Sequence, residues 1–273
     1  MREFFGFGGY QRTAEGYFSW QHLTFVTSLI VVMVILAIFL GKRFKNADLK
    51  RKNKVLIISA ILIDAFELFK IVLLCVRSND PLNWLNNLPL FLCSIQLITI
   101  PMAAFCRGRL KEASIDFVMI FGLLGAVLGT YFAGQNYGCY PVLSFDNVVS
   151  GITHCISGFS SLYIIISGLT SMKKKNFVLT YVIFTGFCIA AYVANILVDY
   201  NYMFLMRGDG TPYDIIYNLV SGNKVLYPVL VALLMFVYIA ACQLIYSAID
   251  KKRRSDLGML QTENEDTKSL KYV

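Results

Sequence analysis

Long apolar stretches alternate along this chain with short segments that are rich in Lys and Arg. Each stretch holds about 20 residues, the length at which an α-helix crosses a ~30 Å hydrocarbon core. A membrane β-barrel has short alternating segments instead of such continuous runs. The pattern predicts spans at about 20–40, 55–76, 88–106, 115–134, 146–169, 177–199 and 225–248. We therefore expect an all-α fold, a polytopic membrane bundle of seven transmembrane helices.

The basic residues indicate how this bundle is oriented. Of the 25 Lys and Arg residues, 19 lie in alternate loops and in the tail after residue 248, 5 lie on the opposite side, and Lys70 lies within a span. Cytoplasmic loops carry the excess of Lys and Arg, so the N-terminus is predicted outside and the C-terminus in the cytoplasm. Residues 1–19 then form an external segment, residues 20–248 the transmembrane domain, and residues 249–273 a polar cytoplasmic tail.

Composition narrows the function classes. The chain is 57% hydrophobic and 15% charged, whereas a soluble domain is about 25% charged. The orientation signal and attraction to anionic lipids account for the net charge of +8, so nucleic acid is not an expected partner. The seven cysteines show no metal-ligand spacing, and we expect no metal and no cofactor. The protein is predicted to be a multi-pass protein of the cell membrane, with membrane lipids as partners.

Polar side chains inside predicted spans indicate a candidate site, because such groups are costly in a membrane. With the orientation above, several spans place polar groups in their outer halves. We expect one cavity there, open to the outer leaflet or the exterior and able to hold a lipid or a small molecule. Its predicted lining is His22, Glu67, Cys93, Gln96, His154 and Asn195, followed at the outer end of span six by Asp199, Asn201 and Tyr202.

Each of these features has a structural alternative. Glu67 and Lys70 are three residues apart and can pair on one helix face. His22 is expected at the membrane interface, and a lone Cys93 would more often be a packing residue. The GxxxG pair Gly125 and Gly129 predicts close helix packing within the chain rather than dimerisation. His154 is harder to explain by packing, since it lies well inside a span among Ser, Thr and Gly.

A cysteine beside a histidine suggests nucleophilic chemistry. An imidazole can take the thiol proton, and a third polar group normally orients such a base. Glu67, Gln96, Asn195 and Asp199 are candidates for that group. The chemistry suggested is acyl transfer through a thioester. Two other readings stay open: a transporter or ligand-binding protein, in which Asp64 and Lys70 would matter more than Cys93, and a non-catalytic scaffold.

Several segments resemble the YwaF family, which includes the animal transmembrane protein 164. They are Trp20-Gln-His-Leu, Leu88-Pro-Leu-Phe-Leu-Cys93, His154, and Asn195 with Asn201-Tyr-Met-Phe-Leu205 and Pro212. The resemblance runs over about 15–248. It implies a membrane acyltransferase that moves fatty acyl chains between phospholipids, with Cys93 as nucleophile and His154 as base. Family members often carry His two residues before the cysteine, where this chain has Phe91.

Overall fold

A computed structural model describes residues 2–169 and 172–269 of the 273-residue chain. Within these residues the fold is all-α, without strands. The helices are α1 (Trp20–Phe44), α2 (Leu49–Ser78), α3 (Gln96–Phe105), α4 (Gly108–Tyr131), α5 (Gly134–Cys139), α6 (Phe145–Ser167), α7 (Phe177–Val198), α8 (Tyr213–Leu219) and α9 (Leu226–Ser269). Three 3-10 turns lie at Asn83–Asn87, Lys174–Asn176 and Tyr202–Phe204.

Five helical stretches of the described chain are long and apolar enough to cross a membrane, judged by length and composition. They are Trp20–Phe44, Gly108–Cys139, Phe145–Ser167, Lys174–Val198 and Leu226–Ile249. Helix α2 has 30 residues and is long enough to cross a membrane, at about 45 Å for 1.5 Å per residue. It is not one of the five apolar stretches, and its apolar part contains the charged residues Asp64, Glu67 and Lys70. The prediction of membrane-crossing helices is therefore confirmed for five stretches.

The prediction of a helical span at 88–106 is wrong in its first half. Only Gln96–Phe105 is helical, which is about 15 Å of helix and too short to cross a ~30 Å core. Pro89 accounts for the break at Leu88, because it disfavours helical backbone at the preceding residue. Leu88 is accordingly extended, with φ −62° and ψ 146°. Residues 88–95 form an irregular segment, a kind of backbone that membranes tolerate only where protein or a water-filled cavity surrounds it.

Helix α6 lies at the centre of the bundle, where it packs against α1, α2 and α4. The Ser144 side chain accepts a hydrogen bond from the Asn147 N–H and so caps the start of α6. Gly168 ends the helix in the left-handed conformation, with φ 67°, which glycine adopts without steric cost. These two caps define where α6 begins and ends.

The bundle has two chemically different ends. We call the basic end the one where α1 ends and α2 and α4 begin, and the cap end the one where residues 2–19 pack. Near the basic end the interior is tightly packed, with fully buried Leu56, Phe117 and Tyr163. Toward the cap end His22, Tyr137 and Val142 are buried as well, but every residue from Leu88 to Ser94 is only half-buried.

The N-terminal segment 2–19 is folded onto the cap end. Arg77 at the end of α2 makes a bidentate ion pair with Asp146 of α6, with nitrogen–oxygen distances of 2.7 and 3.0 Å. Tyr10 donates its hydroxyl to the same carboxylate, and Arg77 also donates to the Phe5 carbonyl. Burial and the hydrogen bond to Asp146 raise the pKa of Tyr10 to about 12. The segment is thereby fixed across α2 and α6.

Candidate active site

Cys93 and His154 come together in the half of the bundle toward the cap end. The two side chains interact electrostatically with each other, and they lie against Gly125 and Gly129, which are one turn apart on α4. Cys93 belongs to the irregular segment just before α3, and His154 lies in the middle of α6. Both residues are half-buried, so the pair is enclosed without being sealed. A thiol and an imidazole in contact are the two groups that nucleophilic catalysis by cysteine requires.

One ring nitrogen of His154 is occupied by its own helix. Nδ1 lies 2.6 Å from the carbonyl oxygen of Ser150 and 3.4 Å from the Ser150 hydroxyl. A carbonyl oxygen can only accept, so Nδ1 carries the proton and the neutral ring keeps its lone pair on Nε2. The backbone of Ser150 therefore does the orienting that the sequence analysis assigned to Glu67, Gln96, Asn195 or Asp199. Nε2 remains to accept the thiol proton.

The sulfur of Cys93 lies beside backbone donors at the beginning of α3. The N–H groups of Cys93 and Ser94 are both within hydrogen-bond reach of the sulfur. The Ser94 hydroxyl accepts a hydrogen bond from the Phe91 N–H at 2.9 Å and holds the turn in shape. Donors placed in this way favour negative charge on sulfur, and they can also serve a developing oxyanion.

Two glycines of α4 lie next to the pair. A Cβ added to Gly125 would lie 3.5 Å from the Cys93 Cα, which is ordinary contact, whereas a Cβ added to Gly129 would lie 1.8 Å from the His154 Cδ2. The GxxxG pair therefore serves packing within the chain, as predicted, and what it packs against is Cys93 and His154. The sequence analysis did not connect Gly129 with the site.

Glu67 and Lys70 of α2 lie near the Cys93–His154 pair. Their side chains form an ion pair with a nitrogen–oxygen distance of 2.5 Å, which confirms the pairing that the spacing predicted. Glu67 is 9% exposed, and the Lys70 ammonium lies within electrostatic range of His154. Because the two charges are opposite, the Glu67–Lys70 pair adds little net charge to the border of the site.

Gln96 is fully buried one turn after Cys93. Its Oε1 accepts a hydrogen bond from the Thr99 hydroxyl at 3.1 Å. Its Nε2 has no hydrogen-bond partner among the described residues. A buried donor without a partner is costly, which makes this amide a candidate for contact with a substrate.

Asn195 and Tyr202 lie at the end of α7 and form a clamp rather than a contact with His154. The Asn195 amide bonds both backbone groups of Tyr202, at 3.0 and 2.6 Å. The Tyr202 hydroxyl in turn donates to the Leu85 carbonyl and accepts from the Leu88 N–H. This Asn195–Tyr202 clamp therefore holds the start of the segment that carries Cys93.

Other predicted site residues lie farther along the same loop. Asn201 donates to the Arg207 carbonyl and to Asp209, so its amide is used within the loop. Asp199 is exposed and ends α7 in the left-handed conformation. The structure brings neither residue to the Cys93–His154 pair by a hydrogen bond.

Phe91 takes part in the contact between residues 88–95 and the turn after α7. Its ring centroid lies 5.2 Å from that of Tyr202 and 5.9 Å from that of Phe204. In this chain the position two residues before Cys93 therefore belongs to an aromatic cluster that joins residues 88–95 to the turn after α7.

His22 is fully buried at the cap end, and both ring nitrogens have partners. Nδ1 accepts from the Phe18 N–H, and Nε2 lies 3.1 Å from the Thr130 carbonyl. The ring packs against the tilted ring of Tyr137, with centroids 4.0 Å apart. His22 thus ties the N-terminal segment to the end of α4 and is placed as a structural residue.

Sequence reasoning gave no role in the site to two residues that contact the His154 ring. Ser150 could have been found, since it lies four residues before His154, the helical spacing at which a side chain meets a backbone carbonyl. Gly129 was noticed only as part of a packing motif. The described residues contain no group of three or more His, Cys, Asp and Glu placed to hold a metal ion.

These features define the class of the protein. An all-α chain with five apolar helices of membrane-crossing length is a polytopic membrane protein. The family model of the TMEM164 family matches residues 17–248, and the chain belongs to that family. Neither the curated proteins nor the solved structures gave a match.

Proposed function

We propose that this membrane protein is a phospholipid-directed acyltransferase in which Cys93 is the nucleophile and His154 the base. It would cross the cell membrane seven times, with α2 and the segment 88–105 as the second and third crossings and the cap end outside. The observation that carries the proposal is the contact of the Cys93 thiol with an imidazole whose Nδ1 proton is held by Ser150.

The reaction follows from this arrangement in two halves. Nε2 of His154 takes the thiol proton while sulfur attacks the carbonyl carbon of an acyl ester. The ester C–O bond breaks, His154 returns the proton to the leaving oxygen, and the acyl group remains on Cys93 as a thioester. The hydroxyl of an acceptor lipid then loses its proton to His154 and attacks the thioester, which forms the new ester and restores the thiol.

The tetrahedral intermediates of both halves need hydrogen-bond donors for their negative oxygen. The N–H groups of Cys93 and Ser94 are suited to this role because they already lie beside the sulfur. The unpartnered Nε2 of Gln96, one turn along α3, is a third donor. An oxyanion would give this buried amide the partner it lacks.

The position of the N-terminal cap favours a substrate that enters the site from the membrane. Arg77 lies seven residues beyond Lys70 on α2, and Asp146 lies eight residues before His154 on α6. The Arg77–Asp146–Tyr10 layer is therefore about 10–12 Å above the site along the helices. A water-soluble solute from that side would have to pass this layer, whereas α2 exposes Leu68, Phe69 and Val72 at the level of the site.

The proposal is tested with the purified full chain in phospholipid vesicles that contain a donor with a deuterated acyl chain and a lysophospholipid acceptor. Mass spectrometry should detect deuterated acyl chains on the acceptor. Cys93→Ser and His154→Ala should each lower the transfer by at least about 10²-fold, while Cys106→Ser, which changes a half-buried cysteine at the other end of α3, should keep it.

Retention of transfer by Cys93→Ser would refute the proposal. The transporter of the alternative reading predicts other results. The chain would then transfer no acyl chain, Cys93→Ser would leave solute uptake unchanged, and replacement of Asp64, Glu67 or Lys70 would abolish that uptake.

A further inference from the structure

We infer that Gly129 is the positioning residue of the base: its missing side chain is what allows the His154 ring to reach Cys93. The inference rests on the proposed function, because it assigns a role within the same Cys93–His154 pair. It concerns a residue of α4 that bears no reactive group and forms none of the hydrogen bonds described above.

The contact at Gly129 is unusually close. A Cβ there would lie 1.8 Å from Cδ2 and 1.9 Å from Nε2 of His154. Both distances are far below the separation of non-bonded atoms, about 3.5–4.0 Å for carbon pairs. The edge of the ring that carries Nε2, the nitrogen left to accept the thiol proton, therefore lies directly on the backbone of α4.

The ring has little freedom to give way. Its other edge is held by the 2.6 Å hydrogen bond from Nδ1 to the Ser150 carbonyl. A methyl group at residue 129 would have to break this bond, turn the ring or push α6 away from α4. Each of these displacements moves Nε2 relative to the Cys93 sulfur, and a displacement of about 1 Å can cost about 10²-fold in rate.

Helix propensity gives a second reason to look for a role at this position. Glycine inside a helix is less favourable than alanine, and Gly129 lies within α4, two residues before its end. Gly125, one turn earlier, has room for a Cβ at 3.5 Å from the Cys93 Cα and 3.6 Å from its Cβ. The same motif thus offers a matched control on the same helix.

The test measures the reaction of Cys93 with N-ethylmaleimide in the full chain in vesicles, resolved by peptide mass spectrometry. Gly129→Ala should slow labelling of Cys93 to the level of His154→Ala, and Gly125→Ala should leave it close to wild type. In the His154→Ala background, Gly129→Ala should have no further effect on labelling, because the ring that it displaces is absent. The melting temperature of each variant reports whether it folds.

The double variant also keeps the test valid if Gly129→Ala alone folds poorly. With the ring removed, the clash disappears, and the melting temperature of Gly129→Ala/His154→Ala should equal or exceed that of His154→Ala. A further fall of labelling in the double variant, or equal effects of Gly125→Ala and Gly129→Ala, would overturn the inference.

The proposed function and this inference fail in different ways. If His154→Ala does not change the labelling of Cys93, the pair itself is refuted. If His154→Ala slows labelling but Gly129→Ala does not, the pair stands and only the role of Gly129 is refuted.

Discussion

A single backbone oxygen decides which nitrogen of His154 can act as a base. The Ser150 carbonyl accepts the Nδ1 proton at 2.6 Å, and the Ser150 hydroxyl, 3.4 Å from the same nitrogen, is the weaker contact. Catalytic histidines are commonly held by a carboxylate, but a carbonyl performs the same orientation. The orienting group therefore survives mutation of the Ser150 side chain.

At the residue scale we first predict that His154→Ala and Ser150→Ala differ sharply. His154→Ala should lower acyl transfer by about 10²–10⁴-fold, the usual contribution of a general base. Ser150→Ala should lower it only a few-fold, because the carbonyl that holds Nδ1 remains. His154→Ala should also add little to the loss already caused by Cys93→Ser, since a nucleophile and its base act as a unit. Transfer rates in vesicles measure all three.

A second prediction at this scale concerns Gln96. Gln96→Leu should lower the transfer rate by about 10²–10³-fold if Nε2 serves the oxyanion. The same change should alter the thermal stability little, because it removes a buried donor that has no partner in the described chain. The Thr99 hydroxyl, which loses its bond to Oε1, still has the Ile95 carbonyl as a partner. A loss of stability with full activity would contradict the assignment and indicate a structural glutamine.

At the scale of elements, the irregular segment 88–95 determines where Cys93 lies. Pro89 interrupts the helix, and the Asn195–Tyr202 clamp fixes the chain just before it through Leu85 and Leu88. Two of the segments that carried the family resemblance, Leu88–Cys93 and Asn201–Leu205, are therefore in direct contact, since one presents the thiol and the other holds it in place.

We predict that Tyr202→Phe weakens this clamp. The change removes the hydroxyl that bonds the Leu85 carbonyl and the Leu88 N–H. It should cost about 1 kcal/mol of stability, because two half-buried backbone groups lose their partner. Cys93 labelling should become less dependent on His154. Tyr200→Phe is the matched control, since Tyr200 also contacts the Phe91 ring but makes neither of these hydrogen bonds. Equal effects of the two variants would refute the clamp.

At the scale of the whole molecule, the N-terminal segment closes the cap end. Two further hydrogen bonds reinforce the Arg77–Asp146 ion pair: the Val142 N–H donates to the Glu15 carboxylate at 2.8 Å and the Phe145 N–H to the Phe4 carbonyl at 2.9 Å. The residues from 2 to 16 lie outside the range that the family model matches.

We predict that Asp146→Asn releases this cap. Loss of the carboxylate leaves Arg77 half-buried without its counter-ion, at a cost on the order of 3 kcal/mol. Trypsin added outside intact cells should then cleave after Arg12 faster than in the wild type. Asp80→Asn, at an exposed position just after α2, serves as the control. Unchanged cleavage would mean that the remaining contacts hold the segment alone.

Orientation is the second prediction at this scale. A reporter fused after Val273 should be cytoplasmic and one at the N-terminus external, because Lys and Arg concentrate in alternate loops. Two reporters on the same side would require an even number of crossings and would remove the outer placement of the site.

The apolar runs by themselves determined most of the architecture. Helices α1, α4, α6, α7 and the first part of α9 follow from stretches that can satisfy their backbone groups in lipid only as helices. The segment 88–95 marks the place where hydrophobic pattern and structure part, because hydropathy reports the cost of transfer to lipid and not the backbone conformation. Helix α2 covers the predicted span at 55–76, although its charges keep it out of the five apolar stretches. Cys93 and His154 were identified as candidates from their chemistry.

Only the tertiary structure decided what surrounds these two residues. Gly129 meets His154 because α4 packs beside α6, and Leu88 meets Tyr202 because the segment before α3 packs against the turn after α7. The pattern of residues along one segment does not show which neighbour that segment will contact. The same holds for Asn195, whose amide was a candidate for the base and instead bonds the backbone of Tyr202. A short polar side chain bonds the nearest group that the fold presents to it, and that neighbour is determined by packing.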